Sequence, residues 1–198
     1  MEMTKKNIEE ALRLLDGRLA RVGAPGIGIV VCGGAALTVL DLLSRTTTDV
    51  DIVALLDESR GLISPSPLPE TLTRAATEVA EVMHLPEGWL NNAPSRDEGG
   101  LFQMGLPAGF RERLHARKYG SHLTAYFIDR FDQICFKLYA AVDRGGYHIS
   151  DLDALRPTTD ELVQAARWAL THDVSPGFHR LLKNMLETLG HGNAAERI

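Results

Sequence analysis

Residues 27–56 read IGIVVCGGAALTVLDLLSRTTTDVDIVALL, and no other stretch restricts the fold as much. It opens on a short apolar run, Ile27 to Cys32, whose β-branched residues favour a buried strand over a helix. Gly33 and Gly34 end the run. From 35 to 43, Ala, Leu and Val recur at helical spacing, so the glycine pair is expected where a strand turns into a helix. Backbone N–H groups at a helix start favour anions, and glycine lets a ligand come close to the backbone, which makes the turn a candidate phosphate site. The alternative is a tight turn and nothing more.

Arg45, Thr47, Asp49 and Asp51 follow at every second position, with Val50, Ile52 and Ala54 interleaved with the last of them. On a strand this alternation sends the polar set to one face and the apolar set to the core. Asp49 and Asp51 would then stand side by side, and two neighbouring carboxylates repel unless a cation neutralises them. Hard ions such as Mg²⁺ favour carboxylate oxygens together with substrate phosphate. A solvated strand face is the plainer reading of the same residues.

In order and spacing, Gly33, Gly34, Asp49 and Asp51 resemble the first motif of the nucleotidyltransferase superfamily, a strand, a Gly-Gly or Gly-Ser turn, a helix and Asp-x-Asp on the next strand. The fuller pattern, GGxAL followed by RxTxDxD, is similar to the bacterial branch that contains AbiEii-like toxins and related uncharacterised nucleotidyltransferases. Where the wider superfamily often has serine after the first glycine, this chain has Gly34. Members of that branch also carry a lysine in a later helix, and Lys137-Leu138-Tyr139-Ala140, Arg144 and Asp151-Leu152 match, whereas His148 replaces an aspartate.

The resemblance implies an α/β fold, a nucleotidyltransferase-like mixed sheet flanked by helices over residues 1–145 with a C-terminal helical cap over 146–198. It implies transfer of a nucleoside monophosphate from an NTP to an acceptor (protein, tRNA or small molecule) with release of pyrophosphate. Two Mg²⁺ ions would sit on Asp49 and Asp51, and Gly33, Gly34, Arg45, Thr47 and Lys137 would hold the triphosphate. Asp129, directly after a strand expected at 122–128, is the provisional third carboxylate and general base. The competing expectation is a catalytically silent module that binds nucleotide or a protein partner, for instance in a toxin–antitoxin pair.

With 198 residues, 44% hydrophobic and 24% charged, the composition is that of an ordinary globular chain, and the net charge of −5 gives no overall attraction to nucleic acid or an anionic membrane. Cys32 and Cys135 have no CxxC or Cys/His spacing suited to zinc and read as two reduced, buried thiols. No run of about twenty apolar residues occurs, so a cytoplasmic protein without a membrane segment is expected. Gly26-x-Gly28 precedes or opens the first strand and cannot act as a dinucleotide fingerprint, and no P-loop is present. Ile8, Leu12, Leu15 and Leu19 mark an amphipathic helix capped by Thr4. Another is expected at 69–84, then a long surface loop at 86–100 in which Trp89 serves as packing anchor or base platform. The segment 106–118, with Arg111, Arg113, Arg117 and Lys118, reads either as a solvated face or as a polyanion clamp. Asp132 is the expected N-cap of the helix that carries Lys137. Buried among apolar positions, that lysine needs an anionic partner if it turns inward and otherwise snorkels to water.

Overall fold

The first apolar run forms the strand expected of it and lies at the centre of a mixed, six-stranded sheet in the computed structural model, which describes residues 2–198. In chain order the first half contains α1 (Lys5–Arg21), β1 (Ile27–Cys32), α2 (Gly33–Val39), β2 (Val50–Asp57), β3 (Gly61–Ile63), α3 (Glu70–Met83), β4 (Leu90–Asn91), α4 (Leu101–Met104), β5 (His115–Lys118) and β6 (Leu123–Phe127). The second half is helical, with α5 (Arg130–Arg144), α6 (Tyr147–Ala154), α7 (Thr159–His172), α8 (Pro176–Thr188) and α9 (Gly192–Ala195). The chain divides into two compact units, Met1–Ile128 and Asp129–Ile198. The expected boundary at 145/146 counted α5 with the sheet, whereas α5 packs with α6, α7 and α8 in the second unit.

Strand order is β3-β2-β1-β6-β5. β1 pairs antiparallel with β2 and parallel with β6, and β5 closes the far side antiparallel to β6. Along its other edge β2 takes β3 at one end and β4 at the other. The β1–β2 ladder changes register between Val30 and Val31, so that β2 carries one extra residue, Val53, at a bulge. Gly28 sits in β1 where a Cβ would lie 2.5 Å from the Leu56 carbonyl oxygen and 3.1 Å from the Tyr126 ring. Packing against the neighbouring strands therefore accounts for this glycine.

α1 starts with a capping box in which the Asn7 N–H donates to Thr4 Oγ1 and the Thr4 N–H donates to Asn7 Oδ1 at 3.0 Å. Its buried face is Ile8, Leu12, Leu15 and Leu19, with Asp16 among them. That carboxylate earns its burial by accepting from the His122 and Leu123 N–H groups at 2.8 and 2.7 Å, which fixes where β6 begins. The residues expected as a long surface loop are tied down instead. Trp89 is buried and its indole N–H donates to the Ala76 carbonyl at 2.9 Å, so the packing use is the one found. Ser95 follows in a short 3₁₀ turn, fully buried, and its hydroxyl donates to the Val53 carbonyl at 2.8 Å. A bulge leaves a backbone group outside the regular ladder, and Ser95 satisfies it.

In the second unit Asp129, not Asp132, caps α5, because its carboxylate accepts from the Phe131 N–H at 3.0 Å while Asp132 falls in the first turn and is fully buried. Arg130 holds the α6–α7 connection by donating to the Leu155 and Arg156 carbonyls at 2.7 and 2.9 Å and to Glu161 at 2.5 Å. Phe136, Tyr139, Trp168 and Phe178 pack as an aromatic cluster between α5, α7 and α8. Among the described residues no helix is long and apolar enough to cross a membrane.

Two outcomes test this architecture. A Cβ on Gly120 would lie 1.9 Å from Asp16 Oδ2, whereas one on Gly99 meets nothing within 4 Å. Gly120→Ala should therefore lower stability in urea by about 1–3 kcal/mol and Gly99→Ala should not, overpacking being the only difference. Equal effects would disprove the Asp16 contact. At Glu161 partial burial pushes the carboxyl up, but hydrogen bonds from Arg130 and Thr158 outweigh it and leave the group below its usual 4.5. Its contribution is thus fully present above that value and fades as pH falls through the lowered one. Glu161→Gln should flatten the acid limb of the melting temperature against pH, and an unchanged limb would count against the Arg130 pair.

Candidate nucleotide and metal site

Cys32 ends β1 directly opposite Asp51 on β2. The next residue, Gly33, turns the chain into α2 with φ of +66°, a left-handed conformation that glycine adopts without a Cβ penalty. A Cβ at Gly33 would also stand 3.0 Å from Asp51 Oδ2, so the backbone of the turn lies against that carboxylate. Gly34 faces elsewhere. Its Cβ would fall 2.6 Å from Thr47 Oγ1, 3.0 Å from Thr47 Cβ and 3.7 Å from an Arg45 guanidinium nitrogen. The first unit thus brings Gly33 to Asp51 and Gly34 to Thr47 and Arg45.

Thr47 is the hinge of this arrangement. Its N–H donates to the Met3 carbonyl at 3.1 Å, and its own carbonyl accepts from the Met3 N–H at 2.6 Å. Its hydroxyl, buried, lies 3.2 Å from the Asp49 carbonyl and 3.1 Å from Asp49 Oδ1. These bonds change one expectation. The run from Arg45 to Asp51 is not a continuous strand, because β2 begins at Val50, where the N–H donates to the Trp89 carbonyl at 2.5 Å. Ahead of it the Thr47 side chain supplies local bonds that compete with a ladder, so Arg45 lies in a loop and Asp49 immediately before the strand. Both Asp49 and Asp51 are half-buried.

Arg45 is positioned by its backbone and its stem. Thr38 Oγ1 donates to the Arg45 carbonyl at 3.1 Å, and Arg45 Nε donates to the Thr46 carbonyl at 3.2 Å. Met3 and Thr38 are supporting residues that sequence reasoning missed. Met3 gives no local signal beyond being apolar near the first cap, and Thr38 reads only as one polar position in an apolar helix.

The remaining candidates lie in the second unit. Asp129 is engaged as the α5 cap described above. Lys137 does turn inward, is 5% exposed and forms a 2.7 Å ion pair with Asp151 of α6, and the Tyr147 ring lies 5.2 Å from its ammonium. The anionic partner that the lysine requires is therefore a carboxylate of the same unit. In the basic segment, Arg117 pairs with Glu9 at 2.7 Å and donates to the Val39 carbonyl at 3.2 Å, while Arg113 donates to the Ala108 carbonyl at 2.9 Å. Those two arginines serve packing.

Oxygen donors from Asp49, Asp51 and Thr47 beside a glycine turn suit a hard divalent cation better than a soft one. Among the described residues no group of three or more His, Cys, Asp or Glu side chains converges as a metal cluster. Set against protein-family models, curated proteins and solved structures, the chain matches none.

The contact at Gly34 gives a direct check. Gly34→Ala drives a methyl into Thr47, whose backbone is fixed by Met3, and should cost about 1–3 kcal/mol in denaturant. Thr47→Ala removes the nearest atom, so the double variant should recover part of that loss, with a coupling of about 0.5 kcal/mol or more. Strict additivity would mean that the two residues do not meet.

Proposed function

We propose that the chain is a Mg²⁺-dependent nucleotidyltransferase that moves a nucleoside monophosphate from an NTP to an acceptor. The observation that carries this reading is the lodging of the Asp51 carboxylate against the backbone of the Gly33 turn, with Asp49 held by Thr47 two residues away. In this reading Asp49 and Asp51 would hold the cations, which would supply charge stabilisation for phosphoryl transfer. Thr47 fixes the orientation of Asp49, as a hydrogen-bonded supporting residue fixes a metal ligand. Arg45, beside Gly34, contributes a cation for the triphosphate, and Gly33 keeps the approach to Asp51 open. Asp129 is kept as the provisional base and Lys137 as a provisional phosphate contact, and both would have to exchange a protein partner for the substrate.

A second reading is favoured by those same partners. With Asp129 capping α5 and Lys137 paired to Asp151, a module that binds nucleotide or a protein partner without turnover accounts for both residues as they stand.

Melting the protein with and without Mg²⁺ and NTP separates these readings from a solvated strand face. The enzyme and a nucleotide-binding module both expect a rise in melting temperature that Asp49→Asn with Asp51→Asn abolishes, whereas a module that binds only a protein partner expects none. A rise that persists in the double variant would remove the metal assignment. Incubation with α-labelled NTPs and protein, tRNA or small-molecule acceptors then divides enzyme from silent module, label transfer being expected only of the enzyme.

A further inference from the structure

Beside the Gly34–Thr47 contact the first unit has an open depression of about 500 Å³, lined by Lys5, Thr38, Asp41, Ser44, Arg45 and Thr46 among others. Two cations and one carboxylate share its wall. Lys5 ion-pairs with Asp41, yet the two side chains stay 36% and 73% exposed, and a pair that wet is weak and readily exchanged. Asp41 has φ of +57°, a left-handed conformation that aspartate adopts more readily than most side-chain-bearing residues, and its N–H donates to the Thr38 carbonyl at 3.3 Å. The carboxylate is thus brought to Lys5 by a left-handed turn residue. Arg45, anchored through Thr38 and Thr46, joins the depression to the Gly34 turn.

We propose that this depression is an anion subsite for a phosphate-bearing ligand of nucleotide size, in which Lys5 and Arg45 bind the phosphate and Asp41 is a built-in competitor that the phosphate displaces from Lys5. A phosphate carries more charge than the single carboxylate and presents three acceptor oxygens to the two cations and to the Ser44 hydroxyl, while the Thr46 hydroxyl donates to Glu2 at 2.6 Å and would have to leave that carboxylate to join them. The volume lies in the range of small-molecule sites, about 300–1,000 Å³. A free nucleoside monophosphate and the terminal phosphate of an RNA strand offer the same chemistry. The subsite's use as the acceptor position rests on the nucleotidyltransferase reading. Anion binding itself needs neither metal nor Asp51.

The test is calorimetric titration of the full chain, without divalent metal, with pyrophosphate, AMP, adenosine and a short oligoribonucleotide bearing a 3′-phosphate. Lys5→Gln should weaken the phosphate-bearing probes about threefold to fivefold, the size of one exposed ion pair, and Lys5→Arg should restore them. Asp41→Asn, which keeps the left-handed backbone accessible, should tighten them by a similar factor. Adenosine should bind no phosphate-dependent state and respond to neither change. Opposite signs at Lys5 and Asp41 support the subsite, and the tighter of AMP and oligoribonucleotide identifies its source. Equal signs or no response at both positions overturn it, as does binding that requires Mg²⁺ and Asp51, which would leave the nucleotidyltransferase reading standing. Metal-free binding that persists in Asp51→Asn, with no Mg²⁺-dependent response to NTP, would separate the two in the other direction.

Discussion

The position of Asp51 depends on one extra residue in a strand. Val30 pairs with Ala54, and that register, continued without interruption, would put Ile52 opposite Cys32. The bulge at Val53 shifts the ladder so that Asp51 takes the place instead, next to the glycine turn. A carboxylate replaces an isoleucine at the mouth of the β1–α2 connection by this shift alone. The Ser95 hydroxyl bonded to the Val53 carbonyl then ties the bulge to the segment after α3, and Trp89 ties that segment to α3 itself. Residues far along the chain thereby hold the register that positions Asp51.

What the sequence made legible follows from periodicity and punctuation. β1 was readable to its ends, since a β-branched run stopped by two glycines carries its boundaries in its composition. The α1 cap and buried face were readable for the same reason. The bulge was not, because register is a property of two strands and no single strand encodes it. β4 was missed because two residues have no alternation to detect. The polar alternation from Arg45 to Asp51 misled in another way: period two is necessary for a strand but not sufficient, and Thr47 could satisfy Asp49 locally before any ladder began.

The second unit shows a similar division. An inward lysine on an apolar helix was foreseeable, and so was its need for an anion. The identity of the anion depended on how α5 packs on α6, which spacing within one helix does not report. A buried lysine needs a counter-charge whether or not a substrate ever reaches it, and Asp151 supplies it.

The two glycines of the turn have different physical causes, and this shifts where the functional argument rests. Gly34 is explained by packing alone, since Thr47 leaves no room for a Cβ there. It needs no phosphate to account for it. Gly33 is required twice, by its left-handed φ and by the carboxylate at its Cα. Backbone conformation explains the first requirement, but a tight turn does not by itself call for an acidic side chain pressed against it. Two residues earlier Asp49 is held by a hydrogen bond from the buried Thr47 hydroxyl. The weight of the metal and nucleotide reading therefore falls on Asp49 and Asp51, with Gly33 as their neighbour, and not on the glycine pair as such.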